Sequence, residues 1–160
     1  MKKKVTLKGK TILAVDDEPD ILESIQEVLE GCDVDTAQDY HLAMELLNAK
    51  TYDLAVLDIM GVQGYYLLKT AKAKNIRAVM LTSHALSPSN FAKSMDGGAN
   101  AYLPKNKLAE LDVFLEDVLN DDRQKPGVLG MWFDRLKDYY EKKFGPGWLD
   151  ENKGSWHYQD

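Results

Sequence analysis

Short, almost entirely apolar runs recur along the first two thirds of the chain and predict β-strands. Four of them are continuous, at residues 11–15, 54–57, 78–81 and 101–103, and a weaker fifth run covers residues 33–36. Strands that are apolar on both faces are typical of parallel sheets covered by helices on both sides. We therefore expect these strands to form the centre of an α/β domain.

Segments with helical spacing of apolar residues separate the predicted strands. They cover residues 21–29, 42–47, 65–71 and 108–119, and a weaker segment at residues 88–96 ends at two glycines. Five strands that alternate with five helices predict a doubly wound, all-parallel sheet, because right-handed crossovers place helices on both faces. Ligands of such sheets bind at the carboxyl ends of the strands.

A further amphipathic helix is predicted beyond this alternating block. Lys-Pro-Gly at residues 125–127 breaks the fifth helical pattern, and aromatic and apolar residues then recur at helical spacing over about residues 128–144. Residues 145–160, which begin with Gly-Pro-Gly, are expected to form a loose aromatic tail. Two interpretations of the helix remain open: it packs on its own domain, or its stripe with Trp132 and Phe133 contacts a partner or a second copy.

Composition narrows the class of protein. The 160 residues are 44% hydrophobic and 29% charged, which is typical of one globular domain with an appendage. No apolar run reaches the length of about 18 residues that a transmembrane helix needs, and no apolar segment of a secretory signal follows the first lysines. The single cysteine, Cys32, excludes an internal disulfide and a multi-cysteine zinc site, and it favours a reducing cytoplasm.

Charge is unevenly distributed along the chain. Residues 1–10 contain five lysines and no acid, whereas residues 11–120 contain 8 basic and 18 acidic side chains. The acidic block argues against DNA binding and favours a cation or a basic partner. Three segments are expected: a basic, solvated N-terminal tail at residues 1–10, one domain at residues 11–122, and a C-terminal extension at residues 123–160.

Polar side chains stand at the carboxyl ends of four predicted strands. They are Asp16, Asp17 and Glu18 after the first strand, Asp58 after the third, Thr82 at the end of the fourth, and Lys105 after the fifth. Carboxylates that are brought together repel one another, and a hard cation with oxygen ligands such as Mg²⁺ relieves the repulsion. Asp58 could then attack phosphorus and form an acyl phosphate, with Lys105 and Thr82 stabilising charge on the phosphoryl oxygens.

Four motifs together resemble the receiver domain of two-component response regulators over about residues 11–120. They are ILAVDDE at residues 12–18, LDIM at 57–60, LTS at 81–83 and GANAYLPK at 98–105. The resemblance implies the flavodoxin-like receiver fold and phosphorelay signalling. It also implies that Asp58 accepts a phosphoryl group from a sensor histidine kinase or phosphotransfer protein, and that this event switches binding to a downstream protein target.

The resemblance implies a role for each matching residue. The implied Mg²⁺ ligands are Asp16, Asp17, Asp58 and the backbone carbonyl of Met60. Thr82 and Lys105 correspond to the groups that contact the phosphoryl oxygens. Tyr102 corresponds to an aromatic residue that turns inward on activation and forms the switch together with Thr82. Met60 and His84 occupy positions that tune the lifetime of the phosphoryl group.

The chain departs from the family pattern in the segment after Asp58. Val62 stands where the family usually has proline, and Gly61 and Gly64 precede the usual glycine position. Asp58 and Thr82 are 24 positions apart, which is shorter than is common in the family. We therefore expect a trimmed loop or helix here, close to the face that docks the kinase.

These observations lead to the expectation of a stand-alone cytoplasmic response regulator that binds neither DNA nor membranes. It is expected to be a phospho-acceptor rather than a multiple-turnover enzyme, and to dimerise, if at all, through the face from helix four to helix five or through the C-terminal helix. A phosphorylation-independent adaptor that acts through this helix is one alternative. An Mg²⁺-dependent phosphatase is another, although Met60 cannot serve as the general acid that such chemistry usually needs.

Overall fold

The computed structural model describes residues 4–121, 128–152 and 157–158. The central strands are β1 (Thr11–Val15), β2 (Asp33–Ala37), β3 (Leu54–Leu57), β4 (Arg77–Thr82) and β5 (Ala101–Pro104). The helices between and after them are α1 (Pro19–Val28), α2 (Tyr40–Ala49), α3 (Gly64–Ala73), α4 (Pro88–Asp96) and α5 (Leu111–Asn120). A 3-10 segment, Lys105–Glu110, directly precedes α5. The predicted alternation of strands and helices is confirmed.

The five strands form one sheet in the order β2-β1-β3-β4-β5, and all neighbouring pairs are parallel. Every residue of β3 and β5 is buried, which explains why these strands are apolar throughout. The chain reverses its winding direction at β1, so that the carboxyl ends of β1 and β3 lie side by side. This is the doubly wound sheet that the strand and helix pattern predicts, and its strand order is that of the flavodoxin-like fold that the resemblance implies.

Local sequence explains where several helices begin. Pro19 occupies the first turn of α1, where its missing N–H is not needed. The side chain of Asp39 accepts a hydrogen bond from the Leu42 amide at the start of α2, at 2.8 Å. The hydroxyl of Ser87 accepts one from the Asn90 amide at the start of α4, at 3.1 Å. Such caps satisfy amides that have no partner inside the helix, and they explain how the weak pattern at residues 88–96 still forms a helix.

The segment before β1 packs on the domain, whereas a solvated tail was expected for residues 1–10. The Leu7 side chain is buried, and the Cys32 thiol donates a hydrogen bond to the Leu7 carbonyl at 3.3 Å. The amide of Val5 donates to the side chain of Asn120 at 2.6 Å, and that side chain donates back to the Val5 carbonyl at 2.7 Å. Cys32 and Asn120 are distant from this segment in the chain, so its lysine-rich sequence does not predict these contacts.

The C-terminal helix, α6, spans Met131–Phe144. It begins later than the expected start near residue 128, because Val128–Leu129 instead form a short strand, β6. This strand pairs in parallel with β7 (His157–Tyr158). The Lys-Pro-Gly breaker at residues 125–127 lies outside the described residues. Within the described ranges, no helix combines the length and the apolar character needed to cross a bilayer.

The segment after α6 differs from the loose tail that was expected. Residues Trp148–Glu151 form a short helix, α7, and Trp148 is only 3% exposed. Its ring centroid lies 4.9 Å from that of Phe91 in α4 and 5.0 Å from that of Phe144. Trp148 therefore belongs to the core, because its ring packs against Phe91 and Phe144, although the Gly-Pro-Gly that precedes it is typical of a loop. Trp156 lies outside the described residues.

The apolar stripe of α6 packs on the helix-four-to-five face of its own domain, which consists of α4, β5 and α5. Its rings join those of the domain in one aromatic cluster that contains Phe91, Tyr102, Trp132, Phe133, Tyr140, Phe144 and Trp148. On the polar side of the contact, the Arg135 guanidinium pairs with Asp117, a buried carboxylate of α5. The structure thus agrees with the first of the two interpretations of this helix.

Candidate functional site

Three carboxylates meet at the carboxyl ends of β1 and β3. Asp16 directly follows β1, and Asp58 directly follows β3, where its amide donates a hydrogen bond to the Val15 carbonyl at 3.0 Å. One carboxylate oxygen from each of Asp16, Asp17 and Asp58 lies within 4.8 Å of the other two. Asp16 and Asp58 are buried, whereas Asp17 faces solvent. A set of carboxylate oxygens that is open on one side is the kind of donor set that Mg²⁺ prefers.

The Lys105 ammonium lies among the carboxylates. It is 2.8 Å from an oxygen of Asp16, 3.0 Å from one of Glu18 and 3.6 Å from one of Asp58. Its side chain is only 7% exposed, because the residue directly follows the buried strand β5. Glu18 is a partner of Lys105 that the sequence does not predict. Its place in the acidic triplet is a signal, but the reach of its side chain to Lys105 depends on the fold.

Burial and the charges of neighbouring side chains shift the pKa values of Asp58, Asp16 and Lys105. Burial, together with the charge of Asp16, raises the pKa of Asp58 to about 6, although Lys105 opposes the shift. Burial also raises the pKa of Asp16, against the hydrogen bond from Lys105. Burial lowers the pKa of Lys105, but its hydrogen bonds to Asp16 and Glu18 outweigh this and leave the pKa raised. One ammonium thus faces an excess of carboxylates, which favours binding of a further cation.

Two glycines allow the segment after β3 to lie against the site. Gly61 has a φ of +85°, and a Cβ atom there would lie 2.4 Å from a carboxylate oxygen of Asp17. A Cβ atom at Gly64 would lie 2.1 Å from the main-chain oxygen of Asp58. Neither position can hold a side chain unless the neighbouring atoms move. Glycine at both positions therefore allows the segment between β3 and α3 to pack closely against Asp17 and Asp58.

The Thr82 hydroxyl lies at the end of β4, the strand next to β3. The side chain is buried, and its oxygen accepts a hydrogen bond from the Ala85 amide at 3.1 Å. Tyr102 lies apart from the carboxylates, in β5 beneath α6. Its ring is fully buried, and its hydroxyl donates to the Ala85 carbonyl at 2.7 Å and accepts from the Ser87 amide at 3.1 Å. The segment at residues 83–87 therefore connects Thr82 with Tyr102.

The two residues with a predicted effect on phosphoryl lifetime lie at the rim of the site. Met60 is 54% exposed. His84 is also exposed and lies near Glu18. The hydrogen bond from Lys105 lowers the pKa of Glu18, and the nearby His84 contributes a smaller part of that shift. Both side chains are thus open to solvent beside the carboxylates.

Comparisons with known proteins agree with this geometry. The family model of the response regulator receiver domain matches residues 12–115. The transcriptional regulatory protein TcrA of Mycobacterium tuberculosis is 33% identical over 103 residues, which are 61% of this chain and 40% of TcrA. The transcriptional activator protein PfeR of Pseudomonas aeruginosa is 29% identical over 120 residues, which are 72% of this chain and 39% of PfeR. This chain thus corresponds to about two fifths of the length of each relative.

Solved structures give the same result. A CheY-like response regulator receiver domain protein from Methanospirillum hungatei is 28% identical, with a TM-score of 0.59, over 69% of this chain and 95% of the other. The receiver domain of the Francisella response regulator 1452 is 26% identical, with a TM-score of 0.57, over 68% of this chain and 97% of the other.

The matched region contains the carboxylates, Thr82 and Lys105, and it ends before α6 begins. Receiver domains act as phospho-acceptors in phosphorelay signalling and typically bind Mg²⁺ in an acidic pocket. With its five-stranded parallel sheet and the acidic pocket at the ends of β1 and β3, this chain belongs to the response regulator receiver family.

Proposed function

We propose that Asp58 accepts a phosphoryl group from the phosphohistidine of a cytoplasmic sensor kinase or phosphotransfer protein, and that the phosphorylated form binds a downstream protein target. One observation carries this proposal: the Asp58 carboxylate lies within reach of Asp16, Asp17 and the Lys105 ammonium at one edge of the sheet. The excess of acidic over basic side chains in residues 11–120 supports a protein target rather than DNA.

The transfer that we propose is a single displacement at phosphorus. One Asp58 carboxylate oxygen attacks and forms the new P–O bond, while the bond from phosphorus to the donor breaks and its electron pair leaves with the donor. In this proposal the Lys105 ammonium, 3.6 Å from an Asp58 oxygen, stabilises the negative charge on the phosphoryl oxygens, and the Thr82 hydroxyl donates a hydrogen bond to one of them. The pKa of Asp58, about 6, leaves most of the carboxylate ionised and nucleophilic at neutral pH.

A divalent cation fits this pocket. Asp16, Asp17, Asp58 and the backbone carbonyl of Met60 would hold Mg²⁺, since three of these donors already lie within 4.8 Å of one another. When bound, the ion offsets negative charge that the carboxylates and the phosphoryl oxygens would otherwise share.

We also propose that Met60 and His84 at the rim of the site influence how fast the acyl phosphate is hydrolysed. The Met60 thioether cannot take a proton from an attacking water, whereas the His84 imidazole can. His84 is therefore the residue at the rim that would promote hydrolysis.

The test of the proposed function is phosphorylation by a small donor. Incubation with acetyl phosphate and Mg²⁺ should add about 80 Da to the intact mass, which corresponds to one phosphoryl group. Asp58→Asn should abolish the addition, because an amide oxygen does not form the acyl phosphate. The measurement is intact-protein mass spectrometry after rapid desalting.

The matched control is Asp53→Asn at the other end of β3, where the Asp53 side chain accepts a hydrogen bond from the Thr11 amide at 2.8 Å. This variant should gain the mass as the wild type does. The proposal fails if the wild type gains no mass, or if Asp58→Asn retains the addition.

We also predict that Gly61→Ala weakens Mg²⁺ binding by about tenfold, the lower end of what changes behind metal ligands cause. The added methyl group would displace the Asp17 carboxylate, whose oxygen lies 2.4 Å from the Cβ position. Calorimetric titration with MgCl₂ measures the affinity.

Gly31→Ala is the matched control for backbone strain. Gly31 has a φ of +97°, and a Cβ atom there would have no other atom within 4 Å. Both variants should lose about 1–2 kcal/mol of folding stability through left-handed strain, but Gly31→Ala should bind Mg²⁺ like the wild type. Equal affinities in the two variants would contradict the placement of Asp17 in the metal site.

A further inference from the structure

Three hydrogen bonds, joined through the covalent structures of Ala85 and Tyr102, connect Thr82 with the C-terminal helix. The Ala85 amide donates to the Thr82 hydroxyl oxygen at 3.1 Å, and the Tyr102 hydroxyl donates to the Ala85 carbonyl at 2.7 Å. The Tyr140 hydroxyl of α6 then donates to the Tyr102 carbonyl at 2.5 Å. Three hydrogen bonds thus lead from the end of β4 to a helix that lies beyond the family match.

The last of these bonds is held in a rigid environment. Tyr140 is fully buried, and its ring centroid lies 5.5 Å from that of Phe91, 6.0 Å from that of Tyr102 and 5.3 Å from that of Phe144. Its hydroxyl cannot reach water without a movement of α6, so loss of the bond would leave a buried carbonyl less satisfied. The position of Tyr102 in β5 is therefore coupled to the docking of α6.

The first of these bonds leaves Thr82 ready to donate. In the described part of the chain, its hydroxyl oxygen accepts from Ala85, and its own hydrogen has no acceptor. A hydroxyl can accept and donate at the same time, so an oxygen of a phosphoryl group on Asp58 would complete its hydrogen bonding. With α6 docked, the path of hydrogen bonds therefore ends on a hydroxyl that is still able to donate to such a group.

We propose that Tyr140 is a positioning residue for the phosphoryl group on Asp58, acting through Tyr102 and Ala85 on Thr82. This inference rests on the proposed function of Asp58. Docking of α6 and binding of the phosphoryl group favour the same arrangement, so each strengthens the other, as thermodynamic linkage requires. The C-terminal extension then acts as part of the switch rather than as a passive cover of the helix-four-to-five face.

Removal of the Tyr140 hydroxyl tests the proposal. Beryllofluoride with Mg²⁺ serves as the probe, since it occupies the place of the phosphoryl group without a covalent transfer, and titration calorimetry gives its affinity. Tyr140→Phe keeps the ring in the aromatic cluster and should weaken beryllofluoride binding by about fivefold, the lower end of typical coupling between sites.

Tyr52→Phe is the matched control. Tyr52 is also a buried tyrosine, and its hydroxyl donates to Asp35 at 2.7 Å near the amino end of β3, far from Thr82 in the sheet. The same chemical change there should leave beryllofluoride affinity unaltered. Equal affinities of the wild type and Tyr140→Phe would overturn the inference.

The double variant separates positioning from a merely structural role. Once Thr82→Ala removes the end of the path, the additional replacement Tyr140→Phe should no longer change the affinity. A fivefold effect that persists in the Thr82→Ala background would overturn the proposed path. If the wild type itself fails to bind beryllofluoride, the result contradicts the proposed function of Asp58. If the wild type binds it and Tyr140→Phe binds it equally well, only the role of Tyr140 is contradicted.

A second measurement needs no variant. By reciprocity, beryllofluoride should slow hydrogen exchange of the amides in α6 of the wild-type protein, relative to Mg²⁺ alone. Exchange in α6 that is indifferent to the probe would overturn the coupling.

Discussion

Replacement of Phe91 by alanine is expected to lower the free energy of unfolding by about 3–5 kcal/mol, the usual cost of removing a buried phenyl ring. Phe91 is fully buried at the centre of the aromatic cluster, with ring contacts to both the domain and the extension. Its loss would open a cavity between α4 and α6 that neither element can close alone.

Urea denaturation measures this effect with two signals. Far-UV circular dichroism reports the whole protein, and tryptophan fluorescence reports the C-terminal extension, which contains all three tryptophans of the chain. The two transitions of the wild type should coincide, since α6 and the domain share one core. Tyr66→Ala, which removes an aromatic ring that is 64% exposed, should change stability by no more than about 0.5 kcal/mol. A separate fluorescence transition at low urea would show that the extension unfolds independently.

Asp58→Asn is expected to stabilise the protein at pH 7.5 in the absence of divalent cations, by about 2–3 kcal/mol. Folding raises the pKa of the Asp58 carboxyl to about 6 from its ordinary value of 3.8, and each pKa unit corresponds to about 1.4 kcal/mol. The neutral amide avoids the cost of burying this charge beside Asp16. The gain in folding stability is smaller than the pKa shift alone would give, because the Lys105 ammonium, 3.6 Å from Asp58, loses one of its carboxylate partners.

The sign of the pH dependence follows from the raised pKa. Between about pH 4 and pH 6 the folded state binds the Asp58 proton more tightly than the unfolded state, so the contribution of Asp58 to stability falls as the pH rises. The advantage of Asp58→Asn should therefore be small at pH 4 and reach its full size above pH 7. Urea denaturation of both proteins at several pH values measures the difference, in which the contributions of other groups largely cancel.

Mg²⁺ should reverse the order of stability. A cation that binds the folded wild type stabilises it by mass action, whereas the Asp58→Asn variant has lost one of the ligands. Asp53 lies exposed at the other end of β3. Asp53→Asn should therefore not be more stable than the wild type at pH 7.5, and Mg²⁺ should stabilise it as much as it stabilises the wild type. A variant less stable than the wild type at pH 7.5 without Mg²⁺ would contradict the raised pKa.

The sheet and its site could be predicted because their signals are local. A parallel strand buried on both faces must be apolar throughout, as in β3, and the residue that follows it stands at the ligand-binding edge. This rule predicts that Asp16, Asp58 and Lys105 lie together. In the structure, the Lys105 ammonium lies 2.8 Å from an oxygen of Asp16 and 3.6 Å from one of Asp58.

The features that escaped prediction depend on contacts between distant parts of the chain. Leu7 is buried because it meets the domain near Cys32, and Trp148 because it meets Phe91. Leu7 lies between threonine and lysine, and Trp148 follows Gly-Pro-Gly, so neither belongs to a periodic apolar pattern that would predict its burial. In the same way, the hydrogen bond from Tyr140 to Tyr102 joins residues that are 38 positions apart, and the helical spacing of apolar residues in α6 does not predict it.

The two outer strands of the sheet face different risks of aggregation. An unpaired strand edge can recruit a strand of another molecule, and charged side chains or a covering helix prevent this. The edge strand β2 carries Asp33 and Asp35, whereas β5 has the uncharged sequence AYLP and is covered by α6 at Tyr102. We therefore expect the C-terminal helix to hinder self-association into β-rich assemblies at the edge strand that has no charge of its own.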